Sequence, residues 1–497
     1  MDRNELKIGT ALSMFTIIVS SLIQIIYTPL YMKYLGPGDY GINSLIQSIM
    51  GYMSMLNLGL GNAMLRYTVR YRAEGKIEEE KSLNGMFLII FIVLMGVASL
   101  LTAYIYFNLG EFFGSRFTLE ELAKTKIVFL IMALNVVISF PLGVFSTNIS
   151  SKEKFIYQRG IKLITLVLNP IIGATLMING YGLIAVTIST VIFAIISSIF
   201  DVFYALRLGM GIKFSGFRLY ILKDIFVYSF FIFINILIDQ IYWGTDRVII
   251  GKYVGIQAIA IYSVGGIFNT LYMGFASAVS GVLFPRINRL IAEEKNQEVS
   301  DMFLKIGRLQ YILLGLISSG FILFGKEFIN LWVGRGYSEA YKIALWIMIP
   351  LTVPLIQSTG VSIMQAKNMH QFRSVIYFII AILNLVLSIF LVQKVGAIGC
   401  AIATGISFIL GQIIVMNIYY HKVMDLNMII FWKNILKMSI PIMMAMIVGV
   451  GLNRYIIEAD YLSFLIKVFL YTSVYSALLW FLGLNSYEKN QLYFFKK

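Results

Sequence analysis

Long apolar runs, separated by short charged segments, recur from one end of the chain to the other. A helix of about 20 residues crosses a hydrocarbon layer about 30 Å thick, and most of the runs reach about that length. The runs do not alternate polar and apolar residues, as the strands of a membrane barrel would. The pattern therefore predicts an all-α integral membrane protein with about 14 transmembrane helices.

The predicted spans have borders good to about three residues. They cover roughly 8 to 32, 40 to 64, 83 to 108, 127 to 147, 160 to 178, 182 to 206, 224 to 245, 258 to 284, 307 to 325, 343 to 365, 374 to 393, 396 to 420, 437 to 454 and 461 to 483. The polar connections have about 20 residues or fewer, too short to fold as separate domains. A membrane-bound enzyme would need a larger catalytic segment, so we expect no enzymatic activity and no catalytic residues.

A repeat divides the chain. A shift of 219 positions lays residues 33–76 on residues 252–295 without a gap, and nine of the 44 pairs are identical, including Arg70 with Arg289. Because the shift equals six predicted spans, both copies have the same orientation in the membrane. We therefore predict two parallel six-helix lobes, residues 1–218 and 219–436, followed by two further transmembrane helices and a cytoplasmic tail in residues 437–497.

The charges of the connections predict the orientation. With the N-terminus inside, the cytoplasmic segments contain 28 Lys and Arg and the outer segments 11. Basic residues accumulate on the cytoplasmic side of membrane proteins, so we expect both termini in the cytoplasm. The same asymmetry accounts for the net charge of +15, and no soluble basic surface remains for nucleic acid.

Composition agrees with a membrane protein and limits its chemistry. The 497 residues are 59% hydrophobic and 13% charged, and their mean hydropathy is +0.82. The single cysteine, Cys400, lies inside an apolar run, and the two histidines have no neighbouring ligands in the sequence. We therefore expect no disulfide, no metal site and no cofactor.

The seventh span carries polar side chains inside an apolar segment. Asn235, Asp239, Tyr242 and Asp246 fall at i, i+4, i+7 and i+11, and Arg247 follows them. On a continuous helix the first four would form one polar stripe. A carboxylate at membrane depth costs about 2.5 to 3.5 kcal/mol on insertion scales and usually meets a partner or a pathway. The stripe either lines a transport cavity or only ties the helices together by hydrogen bonds.

The first span is the repeat counterpart of the seventh and also has a polar stripe, which includes Ser20 and Gln24 but no charge. Polar faces on two counterpart helices suggest a hydrated cavity between the lobes. Close packing of small residues between membrane helices is the alternative interpretation.

Two segments, PLYMKYLGPGDYGINSLIQSI and TDRVIIGKYVGIQAIAIYSV, resemble bacterial polysaccharide transporters of the oligosaccharide flippase family. That family is part of the multidrug, oligosaccharidyl-lipid and polysaccharide exporter superfamily. The resemblance implies a V-shaped pair of six-helix lobes in the bacterial plasma membrane. It also implies alternating access that moves undecaprenyl-diphosphate-linked sugar units from the inner to the outer leaflet. Lipid II flippases of the superfamily carry arginines within the first span, whereas the first span here has none.

On this resemblance the cargo is a lipid-linked oligosaccharide, surrounded by membrane lipids. A polysaccharide polymerase and glycosyltransferases are candidate partners. Arg66, Arg70, Arg286 and Arg289 are candidates for capturing the cargo diphosphate, because a guanidinium can donate two hydrogen bonds to phosphate at once. A purely topological role is their alternative. For the whole chain, the alternative function is a multidrug exporter coupled to proton or cation exchange at Asp239.

The orientation is testable with topology reporters. Fusions after Lys81 and Arg218 should report a cytoplasmic location, and fusions after Gly38 and Arg116 an external one. The reason is the excess of Lys and Arg in alternate connections. An external signal after Lys81 would overturn the predicted order of spans.

Overall fold

Apolar helices form nearly all of the computed structural model, which describes residues 3–215, 220–367, 369–456, 460–486 and 488–489. Within these ranges no residue lies in a β-strand. The chain divides into two compact units, Met1–Ala260 and Ile261–Lys497. The predicted all-α membrane fold is therefore confirmed, whereas the lobe boundary at residue 218 stays a prediction.

The first unit contains nine described helices and the start of a tenth. They are α1 Arg3–Tyr34, α2 Gly36–Ser54, α3 Leu60–Ala73, α4 Ile77–Phe113, α5 Leu119–Ser151, α6 Phe155–Ile178, α7 Gly182–Arg207, α8 Tyr220–Trp243 and α9 Thr245–Tyr253. The tenth helix, α10 Ile256–Ala292, continues into the second unit.

The second unit continues from α10 through eight further described helices. They are α11 Asn296–Trp332, α12 Glu339–Ile356, α13 Ser358–Ala366, α14 His370–Val395, α15 Ile398–Phe408, α16 Met416–Lys422, α17 Met428–Tyr455 and α18 Tyr461–Leu478. A π-helical segment, Ile409–Val415, joins α15 to α16, and another, Leu479–Gly483, follows α18.

Thirteen helical segments of the described ranges are long and apolar enough to cross a membrane, and each overlaps a predicted span. The remaining prediction, residues 40–64, is a broken helix. A 3-10 turn follows α2, and Leu58 and Gly59 then take positive φ angles of 51° and 74° before α3 begins. Left-handed residues end a helix because they cannot continue its hydrogen bonding. The apolar run therefore predicted one continuous span where the chain forms two helices, α2 and α3.

The internal repeat is visible in the local backbone geometry. The turns after α3 and α10 contain left-handed residues at equivalent positions, Gly75 with φ 69° and Glu294 with φ 57°. The next helices, α4 and α11, have 37 residues each and begin at Ile77 and Asn296, which are 219 positions apart. The two copies therefore share this turn and the length of the helix after it, although the first copy has two helices, α2 and α3, where the second has the single helix α10.

Two ion pairs attach the last helix to the second unit. Lys467 Nζ lies 2.9 Å from both carboxylate oxygens of Glu327, and the two side chains are 4% and 18% exposed. Arg308 donates from Nε and Nη2 to the carboxylate of Glu488 at 2.6 and 2.8 Å. Removing one partner would leave a charge without compensation in an apolar setting, so these pairs fix α18 and the residues after it on α11.

Candidate functional site

Gln240 of α8 occupies the space left by two glycines. A Cβ atom on Gly51 would lie 2.6 Å from Gln240 Nε2, and one on Gly244 would lie 2.1 Å from it. The same Nε2 donates a hydrogen bond of 3.0 Å to the carbonyl of Ser48 in α2. Gln240 therefore joins α8 to α2, and any larger residue at either glycine would displace it. Sequence reasoning missed this residue, although the two glycines were a signal for a close approach.

Polar contacts also join the first turn of α9 to α2. Arg247 Nη1 donates to Ser48 Oγ at 3.3 Å and to the carbonyl of Trp243 at 3.0 Å. The hydroxyls of Tyr52 and Thr245 form a further hydrogen bond between the two helices. The start of α9 is thus positioned by side chains of α2 rather than by apolar packing alone.

At its other end α2 touches the start of α10. A Cβ atom on Gly41 would lie 2.3 Å from the carbonyl oxygen of Ile256, whereas one on Gly38 would meet nothing within 4 Å. Glycine at position 41 lets the two backbones approach. This contact, defined by Gly41 and Ile256, is called the α2–α10 contact below.

The predicted polar stripe is divided between two helices. α8 ends at Trp243, so Asp246 belongs to α9, and the four residues do not share one continuous helix. Asn235 and Asp239, one turn apart on α8, are exposed, whereas Tyr242 and Asp246 are 6% and 1% exposed. The continuous stripe was therefore wrong, because Gly244 interrupts the helix where periodicity alone predicts no break. Only Asn235 and Asp239 remain as a shared exposed surface, which we call the open face of α8.

The candidates on α1 lie in the same unit. Ser20 is exposed, and Gln24, one turn later, is half-buried. α1 packs against α6 and α2. Their side chains stay candidates for the transport pathway.

Arg70 and Arg289, which the repeat places in equivalent positions, each have a carboxylate partner one turn later. Arg70 Nε lies 2.8 Å from Glu74, and Arg289 Nε lies 3.7 Å from Glu293. Hydrogen bonds from Lys76 and Arg70 lower the pKa of Glu74 from 4.5 to about 2. Glu74 therefore keeps its negative charge until the pH falls to about 2. The two guanidinium side chains are still 67% and 71% exposed and remain accessible to a further anion.

The other two candidate arginines differ from this pair. The guanidinium of Arg66 lies 5.1 Å from the ring centre of Tyr228 on α8, an arrangement that favours a cation–π interaction. Arg286 belongs to α10, but its side chain lies outside the described residues. Sequence reasoning missed Arg72, which pairs with Glu80 and donates to the carbonyl of Ser151 at 2.9 Å.

The chain is similar to known membrane transporters. The polysaccharide biosynthesis protein family matches residues 6–291. A putative O-antigen transporter from Shigella flexneri is 23% identical over 416 residues, which cover 82% of this chain and 96% of that protein. The lipid II flippase MurJ in an inward closed conformation has a TM-score of 0.75 and 20% identity, covering 95% of this chain and 97% of its own.

A second solved structure has the same fold. It is the inward-facing conformation of a multidrug resistance MATE family transporter of the MOP superfamily, with a TM-score of 0.63 and 13% identity. The match covers 80% of this chain and 92% of that one. At such low identity both structural likenesses concern the fold, which lipid flippases and multidrug transporters share.

The α2–α10 contact predicts different effects for two neighbouring glycines. We expect Gly41→Ala to lower the melting temperature of the purified protein, because its Cβ would meet backbone, and overpacking costs about 1 to 3 kcal/mol. Gly38→Ala makes the same chemical change in open space and should not lower the melting temperature. Equal melting temperatures for the two variants would contradict the contact.

Proposed function

We propose that this chain, which belongs to the polysaccharide biosynthesis protein family, moves a lipid-linked oligosaccharide from the inner to the outer leaflet of the plasma membrane. The observation that carries the proposal is the family match over residues 6–291. It is supported by the alignment along 96% of a relative named as a putative O-antigen transporter.

The energetics of the cargo explain why such a protein is needed. Each sugar hydroxyl moved into hydrocarbon without a partner costs roughly 2 to 7 kcal/mol, so an oligosaccharide does not cross unaided. A hydrated path through the protein removes most of this cost while the lipid tail stays in the membrane. We infer undecaprenyl diphosphate as the carrier. Two negative charges leaving an inside-negative cell would gain about 4.6 kcal/mol per 100 mV, which favours outward movement.

The open face of α8 supports a hydrated path in the first unit. Asp239 and Asn235 are exposed one turn apart on a helix long and apolar enough to cross the membrane. Gln240, the next residue, hydrogen-bonds to α2. The side of α8 that packs against α2 is therefore next to the open face of α8. A carboxylate facing hydrocarbon is costly, and we therefore infer that water reaches this face. Asp239 would serve as a proton or cation site, as a partner for a basic side chain, or as an acceptor for sugar hydroxyls.

Alternating access assigns a role to the α2–α10 contact. With the proposed orientation, both termini are cytoplasmic and Gly41 lies near the outer surface. Because the contact lies within the compact unit Met1–Ala260, it would keep the start of α10 attached to α2 while the lobes of residues 1–218 and 219–436 rearrange to release cargo toward the outer leaflet. Glycine at position 41 suits this attachment, because it lets the two backbones come close.

A multidrug exporter is the second candidate, because a multidrug resistance transporter has the same fold. We expect this chain, expressed in a bacterium lacking its own O-antigen flippase, to restore surface glycan and to lower the inner pool of lipid-linked oligosaccharide. Sensitivity to cationic drugs should not change. Drug resistance without restored glycan would overturn the flippase proposal in favour of the exporter.

The charge of Asp239 is testable by a nearly isosteric change. We expect Asp239→Asn to reach the membrane at normal abundance but to lose most glycan export, about tenfold or more, because an amide cannot carry a proton or a negative charge. Asp239→Glu should retain partial export. Asp201→Asn is the matched control, because it makes the same change on another spanning helix, α7, where Asp201 is half-buried rather than exposed.

Two outcomes would refute this role of Asp239. One is export by Asp239→Asn at the wild-type rate across the pH range. The other is a loss of export that only follows a loss of protein from the membrane. Either result would leave Asp239 as a hydrogen-bonding residue of the helix bundle.

The paired arginines are tested by a change that keeps their charge. In the double variant Arg70→Lys with Arg289→Lys, we expect cargo affinity to fall about tenfold, because lysine cannot form the bidentate contact with phosphate. Arg116→Lys, at the opposite end of the spans, is the control. Unchanged affinity and transport in the double variant would show that the two arginines only help to set the orientation of the protein in the membrane.

A further inference from the structure

A groove of about 700 Å³ lies between α16 and α17 in the second unit. Its walls combine three lysines and a histidine with apolar side chains and one tryptophan. They include Lys422, Lys433, Lys437, His421, Trp432, Ile418, Ile429, Leu436 and Ile440. This surface is called the basic groove below.

Polar contacts hold the floor of the basic groove. The indole of Trp432 donates a 2.7 Å hydrogen bond to Asn417 Oδ1. Asn417 in turn exchanges hydrogen bonds of 3.0 and 3.2 Å with the buried side chain of Gln357. The polar atoms of the floor thus have partners inside the protein, and the lysines are left as the main donors to a ligand.

The lysines of the basic groove form no salt bridge with any carboxylate of the described residues. Within the described part of the second unit, Arg289, Lys295, Arg308 and Lys467 each form a salt bridge elsewhere. Among the described residues, no carboxylate pairs with Lys422, Lys433 or Lys437. Lys433 and Lys437 are moreover one turn apart on α17, a spacing at which like charges repel. An anion between the three ammonium groups would remove this repulsion.

Charged and apolar side chains of the groove alternate along α17, where Lys433 comes before the adjacent Leu436 and Lys437, and Ile440 lies furthest along. α17 has 28 residues, about 42 Å of helix, and the hydrocarbon layer is only about 30 Å thick. We infer that its first turns, which include Lys433, reach the headgroup level. Leu436 and Ile440 are further along α17 and are 65% and 54% exposed. Lysines beside exposed apolar side chains that continue to Ile440 match the charged headgroup and the acyl chain of a phospholipid.

We propose that the basic groove binds one anionic glycerophospholipid, with its phosphate between Lys422, Lys433 and Lys437 and an acyl chain along Ile418, Leu436 and Ile440. The lysines would supply charge complementarity at the membrane surface. The cargo fits this groove less well, because Trp432 and Asn417 hydrogen-bond to each other and leave little for sugar hydroxyls. The binding site does not depend on the identity of the cargo.

The test is native mass spectrometry of the purified full-length protein with phosphatidylglycerol or phosphatidylcholine. We expect wild-type protein to bind one phosphatidylglycerol about tenfold more tightly than phosphatidylcholine, and high salt to weaken this preference. The double variant Lys433→Gln with Lys437→Gln should lose the preference. Lys326→Gln with Lys342→Gln removes the same charge from exposed lysines outside the groove and should keep it.

Three results would overturn the proposal. Wild-type protein could bind both lipids equally, or the Lys433 and Lys437 double variant could keep the wild-type preference. A lipid-linked oligosaccharide could also displace the bound phosphatidylglycerol one for one, and the groove would then be a cargo site. The comparison of phosphatidylglycerol with phosphatidylcholine uses wild-type protein. It therefore still tests the proposal if the double variant fails to fold.

Discussion

A charged or polar group inside an apolar membrane protein needs an opposite charge, a hydrogen-bond partner or water, and this constraint organises both units. In the second unit Lys467 meets Glu327, and Arg308 meets Glu488, so the last helix is attached to α11. In the first unit Gln240 donates a hydrogen bond to the backbone carbonyl of Ser48 in α2. Asp239 differs from these residues because it is exposed on a spanning helix, and we infer that water reaches this face.

Thirteen of the fourteen spans and the repeat were predictable, because they depend on apolar length and on identical loop residues. The resemblance to polysaccharide transporters is likewise confirmed by the family match. The breaks at Leu58 and Gly244 were not predictable from periodicity, because the apolar pattern continues through both. Glycine at membrane depth marks either a break or a close approach, and only coordinates show which. Gly244 marks both, since it ends α8 and accommodates Gln240.

Those parts of the candidate site that depend on local spacing were predictable from the sequence, and the other parts were not. The spacing of Asn235 and Asp239 is local, and both lie on the exposed side of α8. Asp246 lies beyond the break at Gly244 and is buried. Residue spacing does not reveal that break, so the burial of Asp246 was not predictable. The pairing of Arg70 with Glu74 was visible at i, i+4, whereas that of Lys467 with Glu327 joins residues 140 positions apart. Long-range pairs of this kind need the fold.

The proposed function is tested most directly with purified protein in vesicles that contain a fluorescent lipid-linked oligosaccharide. A quencher that cannot cross the membrane destroys the label in the outer leaflet only. Flipping by the protein predicts that nearly all of the label becomes accessible, whereas protein-free vesicles protect the inner-leaflet fraction. Equal protection with and without the protein, under an imposed membrane potential or ion gradient, would contradict the proposed flippase.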